Sequence, residues 1–303
     1  MSAFCPAPAR LVVGNCVDAM RDLATGSCAL VLADPPYEGV VSAKWDQVKD
    51  YMAFSRAWLS EAVRVLRPGG ALLVYGSPER SWIARLTVLL EDELGMELVQ
   101  NLSWVYNQGG GSRVSSMHKY AVQHEMLIWF QKPGGERTYN AEKGVEHYAE
   151  EDRAVALAKG VGRVTNASLD RGRPPRSFLD FARENSRSKE RQHGTHPSMK
   201  PLGLCAHLVK LHSNHGDRVL VPFVGSGSEL LSAAKLGRVA SGAEVNVEYA
   251  AIAERRFAAH GLSVTLERLA TAEGATTKRP RHSEPNDGLD AAQVVEVGCV
   301  HDE

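Results

Sequence analysis

The segment "LVLADPPYEGVVSAKWD", residues 30–46, begins as a buried β-strand and ends that strand on a carboxylate. Four apolar residues are followed directly by Asp34, Pro35, Pro36 and Tyr37. The carboxyl ends of parallel strands are where α/β folds place their ligands. At such a place Asp34 and a carbonyl aimed by proline can accept hydrogen bonds, and Tyr37 offers a stacking face. Together they suit a flipped-out base with an exocyclic amino group, and a rigid proline loop is the alternative interpretation.

Strands and helices alternate outward from this segment. Strands are predicted at 10–15, 29–34, 71–77, 96–106, 124–132, 217–223 and 239–245, and helices at 16–23, 48–66, 79–94, 202–213, 229–237 and 246–260. This order predicts βαβ units and a mostly parallel sheet that is covered on both faces. The strands at 96–106 and 124–132 have no helix between them, so we expect an antiparallel pair there.

The overall composition is typical of a soluble globular protein. The chain has 303 residues, of which 44% are hydrophobic and 23% are charged, and its formal net charge is −1. Its five cysteines are scattered and form no C-x-x-C pair, which predicts reduced thiols and no metal site. Neither an apolar run of membrane-spanning length nor a secretory signal occurs. We therefore expect no membrane association and a cytoplasmic location, or the host cytoplasm or nucleus for a viral protein.

Residues 133–195 interrupt the alternation of strands and helices. Between Arg153 and Lys200 there are eleven Lys or Arg residues and four Asp or Glu residues, a local net charge of +7. This segregation of charge in a chain of net charge −1 indicates a polyanionic partner. A solvated surface insertion is the alternative. After about residue 268 the sequence is polar and aperiodic, and we expect residues 269–303 to form a flexible tail.

A second glycine-containing segment, "FVGSGS" at 223–228, follows a predicted strand and opens a helix. Gly225 and Gly227 allow a tight turn and close approach of a ligand to the backbone. Glu244 ends the next strand, where an acidic residue of a nucleotide-binding unit accepts ribose hydroxyls. The segment lacks the dinucleotide fingerprint and the P-loop pattern. It therefore favours an adenosine-containing ligand other than NAD, and it disfavours ATP hydrolysis.

These blocks, in this order, resemble the amino-group DNA methyltransferases of the β motif arrangement, which use S-adenosyl-L-methionine. That family has D-P-P-Y first, then a target-recognition region, then H-P-x-x-K-P and finally D-P-F-x-G-S-G. This chain has DPPY at 34–37, the basic insertion, "HPSMKP" at 196–201 and "VPFVGSGS" at 221–228. The shorter segments "GNCVDAM", "KWD", "HEMLIWFQK" and "GRPPRSFLDFAR" are also similar to family patterns, so the resemblance covers about residues 10–260.

The resemblance implies a Rossmann-like α/β fold in circularly permuted motif order. We expect a seven-stranded, mostly parallel sheet with one antiparallel strand. The implied parts are a catalytic half (1–132), an inserted target-recognition region (133–195), a cofactor-binding half (196–268) and the tail (269–303). The implied partner is double-stranded DNA, and the sequence leaves open whether the chain forms a homodimer.

The resemblance also assigns site residues. Asp34, Pro35, Pro36 and Tyr37 are expected to hold the target base. The expected cofactor contacts are Asn15, Cys16, Asp34, His196, Lys200, Pro222, Phe223, Gly225, Ser226, Gly227, Ser228, Glu244 and Val245, with Glu244 on the ribose and His196 and Lys200 over the methionine end. The candidate DNA contacts are Lys44, Arg113, His118, Lys119, Arg171, Arg173, Arg176, Arg183, Arg187 and Arg191.

Two positions depart from the family pattern. Val221 replaces the acid before P-F-x-G-S-G, which removes an expected partner of the cofactor ammonium group. Asn15 replaces the acid after Gly14, close to the expected position of the cofactor adenine. These departures keep open a catalytically weak DNA-binding homologue.

The expected substrate atom is N6 of adenine, because family members that act on N4 of cytosine more often have Ser in place of Asp34. Cytosine N4 is the alternative, since it is also an exocyclic amino group that the same acceptors can bind. Methylation of RNA or of a protein amide is disfavoured by the basic insertion and by Asp34.

Overall fold

A mixed β-sheet runs through the residues that this computed structural model describes, which are 9–39, 44–106, 120–159, 165–185, 187–194 and 196–269. The strands are β1 (Ala9–Val13), β2 (Cys28–Ala33), β3 (Leu66–Gly76), β4 (Glu97–Val105), β5 (His124–Gln131), β6 (Phe178–Asp180), β7 (Arg218–Val221), β8 (Val239–Glu244) and β9 (Val264–Arg268). The helices are α1 (Cys16–Arg21), α2 (Tyr51–Val65), α3 (Trp82–Val88), α4 (Glu150–Lys159), α5 (Asn166–Asp170), α6 (Leu202–His212), α7 (Ser228–Lys235) and α8 (Val247–Ala259). Of the expected tail, only Leu269 belongs to the described residues.

The strand order is β6-β4-β5-β3-β2-β7-β8-β1-β9. Within the described ranges, β5 is antiparallel to both its neighbours β3 and β4, and every other neighbouring pair is parallel. The prediction of one antiparallel strand is therefore confirmed. The first and second halves of the chain meet where β2 pairs with β7, which places the DPPY segment beside the VPFVGSGS segment.

The described part of the sheet has nine strands instead of the expected seven. The seven central strands match the predicted strands, and one short strand is added at each edge. β6 comes from the basic insertion and pairs in parallel with β4, while β9 follows α8 and pairs in parallel with β1. The sequence predicts no strand at either place, because β6 has only three residues and β9 has no buried face.

Hydrophobic side chains cover both faces of the sheet, as the continuous apolar sequence of β2 predicts for a central parallel strand. Leu30 and Leu32 join the cluster that contains side chains of α6, α7 and α8. Val31 and Ala33 join the cluster on the opposite face, with α1, α2 and α3. Since successive strand residues point to opposite faces, this one strand anchors both layers of helices and fixes the position of Asp34 directly after it.

Polar caps fix the ends of the two long helices beside the carboxyl edge of the sheet. Asp50 accepts a hydrogen bond from the Ala53 N–H at 2.9 Å and begins α2. Asn246 accepts from the Glu248 N–H at 2.8 Å and begins α8. Such side-chain caps satisfy N–H groups that have no partner inside the helix. They also set where the preceding loops must end.

The segment "RPGG" at 67–70 is predicted to end a helix, and α2 does end at Val65. The structure differs from the prediction in that β3 begins at once, so that 67–70 belongs to a strand with a register shift against β2. Gly69 has a φ of +77°, and its N–H donates to the Lys132 carbonyl at 2.8 Å. A left-handed glycine allows the chain to change direction without leaving the sheet.

The basic insertion contains more regular structure than its sequence predicts. It forms α4, α5, β6 and two short 3₁₀ helices, Ala141–Gly144 and Lys189–His193. β6 brings the "GRPPRSFLDFAR" segment to the sheet edge, where the Trp104 indole N–H donates to the Phe181 carbonyl at 2.7 Å. The insertion is thus attached to the sheet next to β4.

Candidate functional site

A cavity of about 250 Å³ opens at the carboxyl edge of the sheet, where β1, β2, β7 and β8 end. It receives residues from both halves of the chain. All four residues of DPPY line it. Of the expected cofactor contacts, it is lined by Asn15, Cys16, Asp34, His196, Lys200, Pro222, Phe223, Gly225, Ser226, Glu244 and Val245. Gly227 and Ser228 are not among the lining residues: Gly227 caps α7 and Ser228 is its first residue.

Asp34 lies at the centre of a partly buried hydrogen-bond network. The Tyr37 hydroxyl is 2.5 Å from Asp34 Oδ1 and 3.0 Å from Glu125 Oε2, so its proton can bond either carboxylate. Lys200 Nζ lies 2.5 Å from Asp34 Oδ2 and 3.2 Å from Glu125 Oε2. Two carboxylates therefore share one ammonium group and one phenol.

The ionisation of this network follows from its burial and its charges. Burial alone would lower the pKa of Lys200, but Asp34 and Glu125 raise it above its usual value. Burial, together with the same two carboxylates, raises the pKa of Tyr37. Lys200 is therefore a cation and Tyr37 a neutral donor across the physiological pH range. The ammonium group also lies over the rings of Tyr75 and Trp104, 4.9 and 5.9 Å from their centroids.

Side chains from outside DPPY hold its backbone in place. Asp46 Oδ1 accepts from the Tyr37 N–H at 2.6 Å, and the Asp46 carbonyl accepts from the Gly39 N–H at 2.8 Å. The Tyr51 hydroxyl donates to the Pro36 carbonyl at 2.8 Å. The Pro35 carbonyl, in contrast, accepts no hydrogen bond from any described residue. This oxygen can therefore still accept a hydrogen bond, and its role towards a ligand stays a prediction.

The glycine turn after β7 faces the other end of the cavity. Gly225 and Gly227 have φ values of +52° and +89°, a backbone conformation that favours glycine. A Cβ atom at Gly225 would lie 3.1 Å from His196 Nε2, and one at Gly227 would lie 2.8 Å from the Ala253 Cβ. The turn therefore requires glycine for both its conformation and its packing.

Glu244, at the end of β8, fixes the glycine turn. Its Oε2 accepts from the Gly225 N–H at 2.7 Å, and its Oε1 accepts from the Asn246 N–H at 2.7 Å. Burial raises the pKa of this carboxyl, and the backbone N–H bonds oppose that shift. A carboxylate has about four acceptor sites, so Glu244 can still accept further hydrogen bonds from the cavity side.

Asn15 has a local structural role in addition to its position in the cavity wall. Its Oδ1 accepts from the Val17 N–H at 2.8 Å and caps α1. Phe223 forms an apolar part of the same wall, with its ring 6.0 Å from Phe54 and 5.2 Å from Trp58. This end of the cavity thus combines an apolar surface with the acceptors of Glu244.

Three aromatic rings meet beside the glycine turn. The His196 ring stacks on Trp45 at 6.1 Å and meets Tyr249 edge-on at 4.3 Å. Trp45 Nε1–H donates to the Tyr249 hydroxyl at 3.3 Å. Burial lowers the pKa of His196 to about 4, so its ring is neutral at physiological pH. His196 can therefore act in this cavity as a hydrogen-bonding and packing group, without a charge.

Arg256 connects the glycine turn to the basic insertion. The side chain is fully buried and donates to the Ser226 carbonyl at 2.7 Å and to the Ser228 Oγ at 3.0 Å. It forms an ion pair with Glu190 at 2.7 Å, and Glu190 also contacts His260 Nε2 at 2.9 Å. Arg256 therefore links the 3₁₀ helix that carries Glu190 to the glycine turn.

The expected DNA contacts lie away from this cavity or outside the described residues. Arg113, His118 and Lys119 lie outside those residues, as does the side chain of Lys44. Glu146 pairs with Arg173 and Arg176 at 2.8 and 3.0 Å. The Arg183 guanidinium lies 4.5 Å from the Tyr106 ring centroid, and Arg191 donates to the Glu184 carbonyl at 3.2 Å. Arg171 and Arg187, the remaining expected DNA contacts, are exposed.

The structure adds cavity residues that sequence reasoning missed. They are Trp45, Asp46, Glu229 and Tyr249. Glu125, also missed, does not line the cavity but contacts Lys200, which does. Trp45 and Asp46 belong to the quoted "KWD", and Glu125 belongs to "HEMLIWFQK", so both motifs carried a usable signal. The position of Glu229 one residue into α7 and that of Tyr249 in α8 gave none.

The described part of the chain offers neither a metal site nor a membrane span. No cluster of three or more His, Cys, Asp or Glu side chains there could hold a metal ion. No helix among the same residues is long and apolar enough to cross a membrane. Cys16, Cys28 and Cys205 are free and buried, whereas Cys5 and Cys299 lie outside the described residues.

Comparison with known proteins gives consistent matches. Residues 28–255 match the family model for DNA methylases of the N6/N4 methyltransferase type. The Type II methyltransferase M.HpaI of Haemophilus parainfluenzae is 30% identical over 253 residues, which cover 82% of this chain and 74% of that protein. A DNA modification methylase of Thermus thermophilus, solved in complex with S-adenosyl-L-methionine, is 25% identical with a TM-score of 0.58, covering 87% and 99% of the two chains. The cytosine-N4-specific PvuII DNA methyltransferase shares the fold, with a TM-score of 0.63, 17% identity and coverage of 83% and 88%.

Proposed function

The chain belongs to the N6/N4 DNA methylase family, and on that premise we propose that this S-adenosyl-L-methionine-dependent DNA methyltransferase methylates N6 of adenine. The observation that carries the proposal is the position of Asp34. Its carboxylate directly follows a central parallel strand. It lies in the same cavity as Gly225 of the glycine turn and Glu244, which accepts a hydrogen bond from Gly225. The group that accepts hydrogen bonds from the base and the group that binds the cofactor are thus in one site.

The cavity fits the cofactor by the chemistry of its walls. Phe223 supplies an apolar surface for the adenine ring, and Glu244 retains acceptor capacity for the ribose hydroxyls. Gly225 has no side chain, so the ligand can approach the backbone closely at this wall of the cavity. When bound, S-adenosyl-L-methionine supplies an electrophilic methyl group on its sulfonium.

The residues of DPPY would orient the target base. Asp34 and the free Pro35 carbonyl can accept both hydrogens of an exocyclic amino group, and the Tyr37 ring can stack on the base. Accepting those hydrogen bonds directs the nitrogen lone pair towards the methyl group. Alignment of this kind accounts for a large part of the rate in positioned reactions.

Lys200 would regulate access to Asp34. Both oxygens of Asp34 already have a donor in the structure, Tyr37 on one and Lys200 on the other. The base amino group must therefore displace or join one of them. Lys200 can remain paired with Glu125 and with the faces of the surrounding aromatic rings, so its charge stays compensated when Asp34 turns to the base.

The basic insertion would bind the DNA around the flipped base. Arg171 and Arg187 are exposed, and the Arg183 guanidinium is stacked on Tyr106 near the sheet edge. Arginine side chains of this kind contact phosphates, and a smaller number reads base edges. We therefore assign target recognition to residues 133–195 and cofactor binding to residues 196–268.

The choice of adenine rests on the residue type at position 34. Asp in this place is similar to the adenine-specific members of the family, whereas cytosine-N4 enzymes more often have Ser. The geometry of the acceptors suits either amino group, because adenine N6 and cytosine N4 both present two N–H donors. Cytosine N4 is therefore the second candidate.

Product analysis decides between the two bases. The protein is incubated with methyl-labelled S-adenosyl-L-methionine and unmodified double-stranded DNA, and the DNA is digested to nucleosides. We expect label in N6-methyladenine. Label in 4-methylcytosine alone would refute the adenine assignment while keeping the enzyme class. Cofactor binding without any labelled nucleoside would favour a DNA-binding homologue.

A further inference from the structure

Glu229 is a buried acid in the cofactor cavity that the functions proposed above do not use. It is the second residue of α7, directly after the glycine turn, and its side chain is 4% exposed. It lines the cavity together with Asp34, Lys200 and Ser226. A nearly fully buried carboxyl group requires a reason, because Glu is rarely buried unless it is paired.

One oxygen of Glu229 lacks a hydrogen-bond donor. Its Oε1 is buried and has no hydrogen-bond partner among the described residues. Leaving a buried acceptor unsatisfied is unfavourable, more so when the group is charged. The nearby cations are already used, because Lys200 contacts Asp34 and Glu125, and Arg256 contacts Glu190 and the glycine turn. Because these cations are engaged elsewhere, a bound ligand can supply the donor that Glu229 lacks.

We infer that Glu229 binds the α-ammonium group of the methionine end of S-adenosyl-L-methionine. Glu229 lines the cavity together with Asp34 and Lys200, and the charges of these two groups act on it, so it lies near the group proposed to hold the base. An ammonium group brings three N–H donors and a positive charge, whereas a sulfonium brings a charge without a donor. Only the ammonium group meets both needs of the orphaned carboxylate oxygen.

The position of Val221 agrees with this assignment. The sequence places a valine where the resembling family has an acid, and in the structure that valine is fully buried at the end of β7. An apolar side chain there offers nothing to an ammonium group. Val221 is not among the residues that line the cavity, whereas Glu229, which follows the glycine turn in α7, is, so we assign the negative charge that faces the cofactor to α7 and not to β7.

Binding measurements with three ligands test this inference, which rests on the cofactor site proposed above. Calorimetry compares the wild type with Glu229→Gln for S-adenosyl-L-methionine, S-adenosylhomocysteine and methylthioadenosine. S-adenosyl-L-methionine and S-adenosylhomocysteine both carry the ammonium group, but only S-adenosyl-L-methionine has the sulfonium charge. Methylthioadenosine lacks both the sulfonium charge and the amino acid. We expect Glu229→Gln to weaken the first two by a similar factor of roughly 10 to 100, which is typical of a lost charged hydrogen bond, and to leave the third unchanged.

A control variant and the pattern of losses across the three ligands distinguish ammonium binding from other roles of Glu229. Glu248→Gln makes the same change at an exposed position in the first turn of α8 and should alter none of the three affinities. Equal losses for all three ligands would show a structural role and overturn the inference. A loss for S-adenosyl-L-methionine alone would assign Glu229 to the sulfonium and also overturn it. A wild type that binds none of the ligands would instead refute the cofactor site itself.

Discussion

The buried carboxyl of Glu229 makes a quantitative prediction for the cofactor-free protein. Burial and the nearby Asp34 raise its pKa to about 7 from an ordinary value of 4.5, although Lys200 and Arg256 act in the opposite direction. Between these two pKa values the folded protein holds a proton that the unfolded chain has released. The free energy of unfolding must therefore fall as the pH rises through this window.

The size of the effect follows from the shift. A difference of one pKa unit corresponds to about 1.4 kcal/mol, so the full shift corresponds to roughly 3 kcal/mol. Part of that loss is already present at pH 5, and the change between pH 5 and pH 8 is about 2 to 3 kcal/mol. Glu229→Gln removes the titrating group and keeps its shape. The free energy of unfolding of Glu229→Gln minus that of the wild type should therefore be larger at pH 8 than at pH 5, by about 2 to 3 kcal/mol.

Urea unfolding at the two pH values measures the difference directly. Burial also lowers the pKa of His196 and His212, to about 4 and about 3. Those groups are present in both proteins, so their contributions cancel in the comparison. Glu248→Gln, at an exposed position, should follow the wild type at both pH values. A stability difference between wild type and Glu229→Gln that is the same at pH 5 and pH 8 would refute the reasoning.

Three further predictions concern Glu244, which fixes the glycine turn, the stacking of Tyr37 on the target base, and the ion pair between Glu190 and Arg256. Glu244→Gln should weaken S-adenosyl-L-methionine binding roughly 10- to 100-fold in calorimetry, because it removes a charged acceptor; unchanged affinity would contradict the ribose assignment. Tyr37→Ala should lower kcat/KM for DNA roughly 10- to 100-fold and Tyr37→Phe much less, since base stacking needs only the ring; equal losses would show that the hydroxyl matters more. Glu190→Gln should lower the free energy of unfolding by roughly 3 kcal/mol in urea titrations, because Arg256 is fully buried and loses its charged partner; a change below about 1 kcal/mol would show that the remaining bonds of Arg256 suffice.

Much of the fold could be predicted from local sequence patterns. The all-apolar β2 indicated a central strand with both faces covered, and the alternation of strands and helices indicated a mostly parallel sheet; the structure confirms both. The edge strands could not be predicted in this way. β6 gains its definition from pairing with β4 and not from its own three residues, and β9 is exposed along most of its length.

The site was predictable where its residues form contiguous motifs. DPPY and the glycine turn are visible in the sequence, and the structure brings them into one cavity. Glu125 belongs to a motif that the sequence shows, but its ion pair with Lys200 is a long-range contact. No sequence pattern marks Glu229, whose place in the cavity only the fold reveals. Nor does the sequence show that both oxygens of Asp34 are already engaged by donors from within the chain.

The central claim is that Asp34 orients the target amino group for methyl transfer. Single-turnover transfer from labelled S-adenosyl-L-methionine to DNA, compared between the wild type and Asp34→Ala, tests it most directly. Cofactor affinity and thermal unfolding of the variant are measured beside it, because Lys200 loses one of its two carboxylate partners. We expect transfer by Asp34→Ala to be at least roughly 100-fold slower, with cofactor binding retained. Transfer by the folded, cofactor-binding variant at the wild-type rate would contradict it.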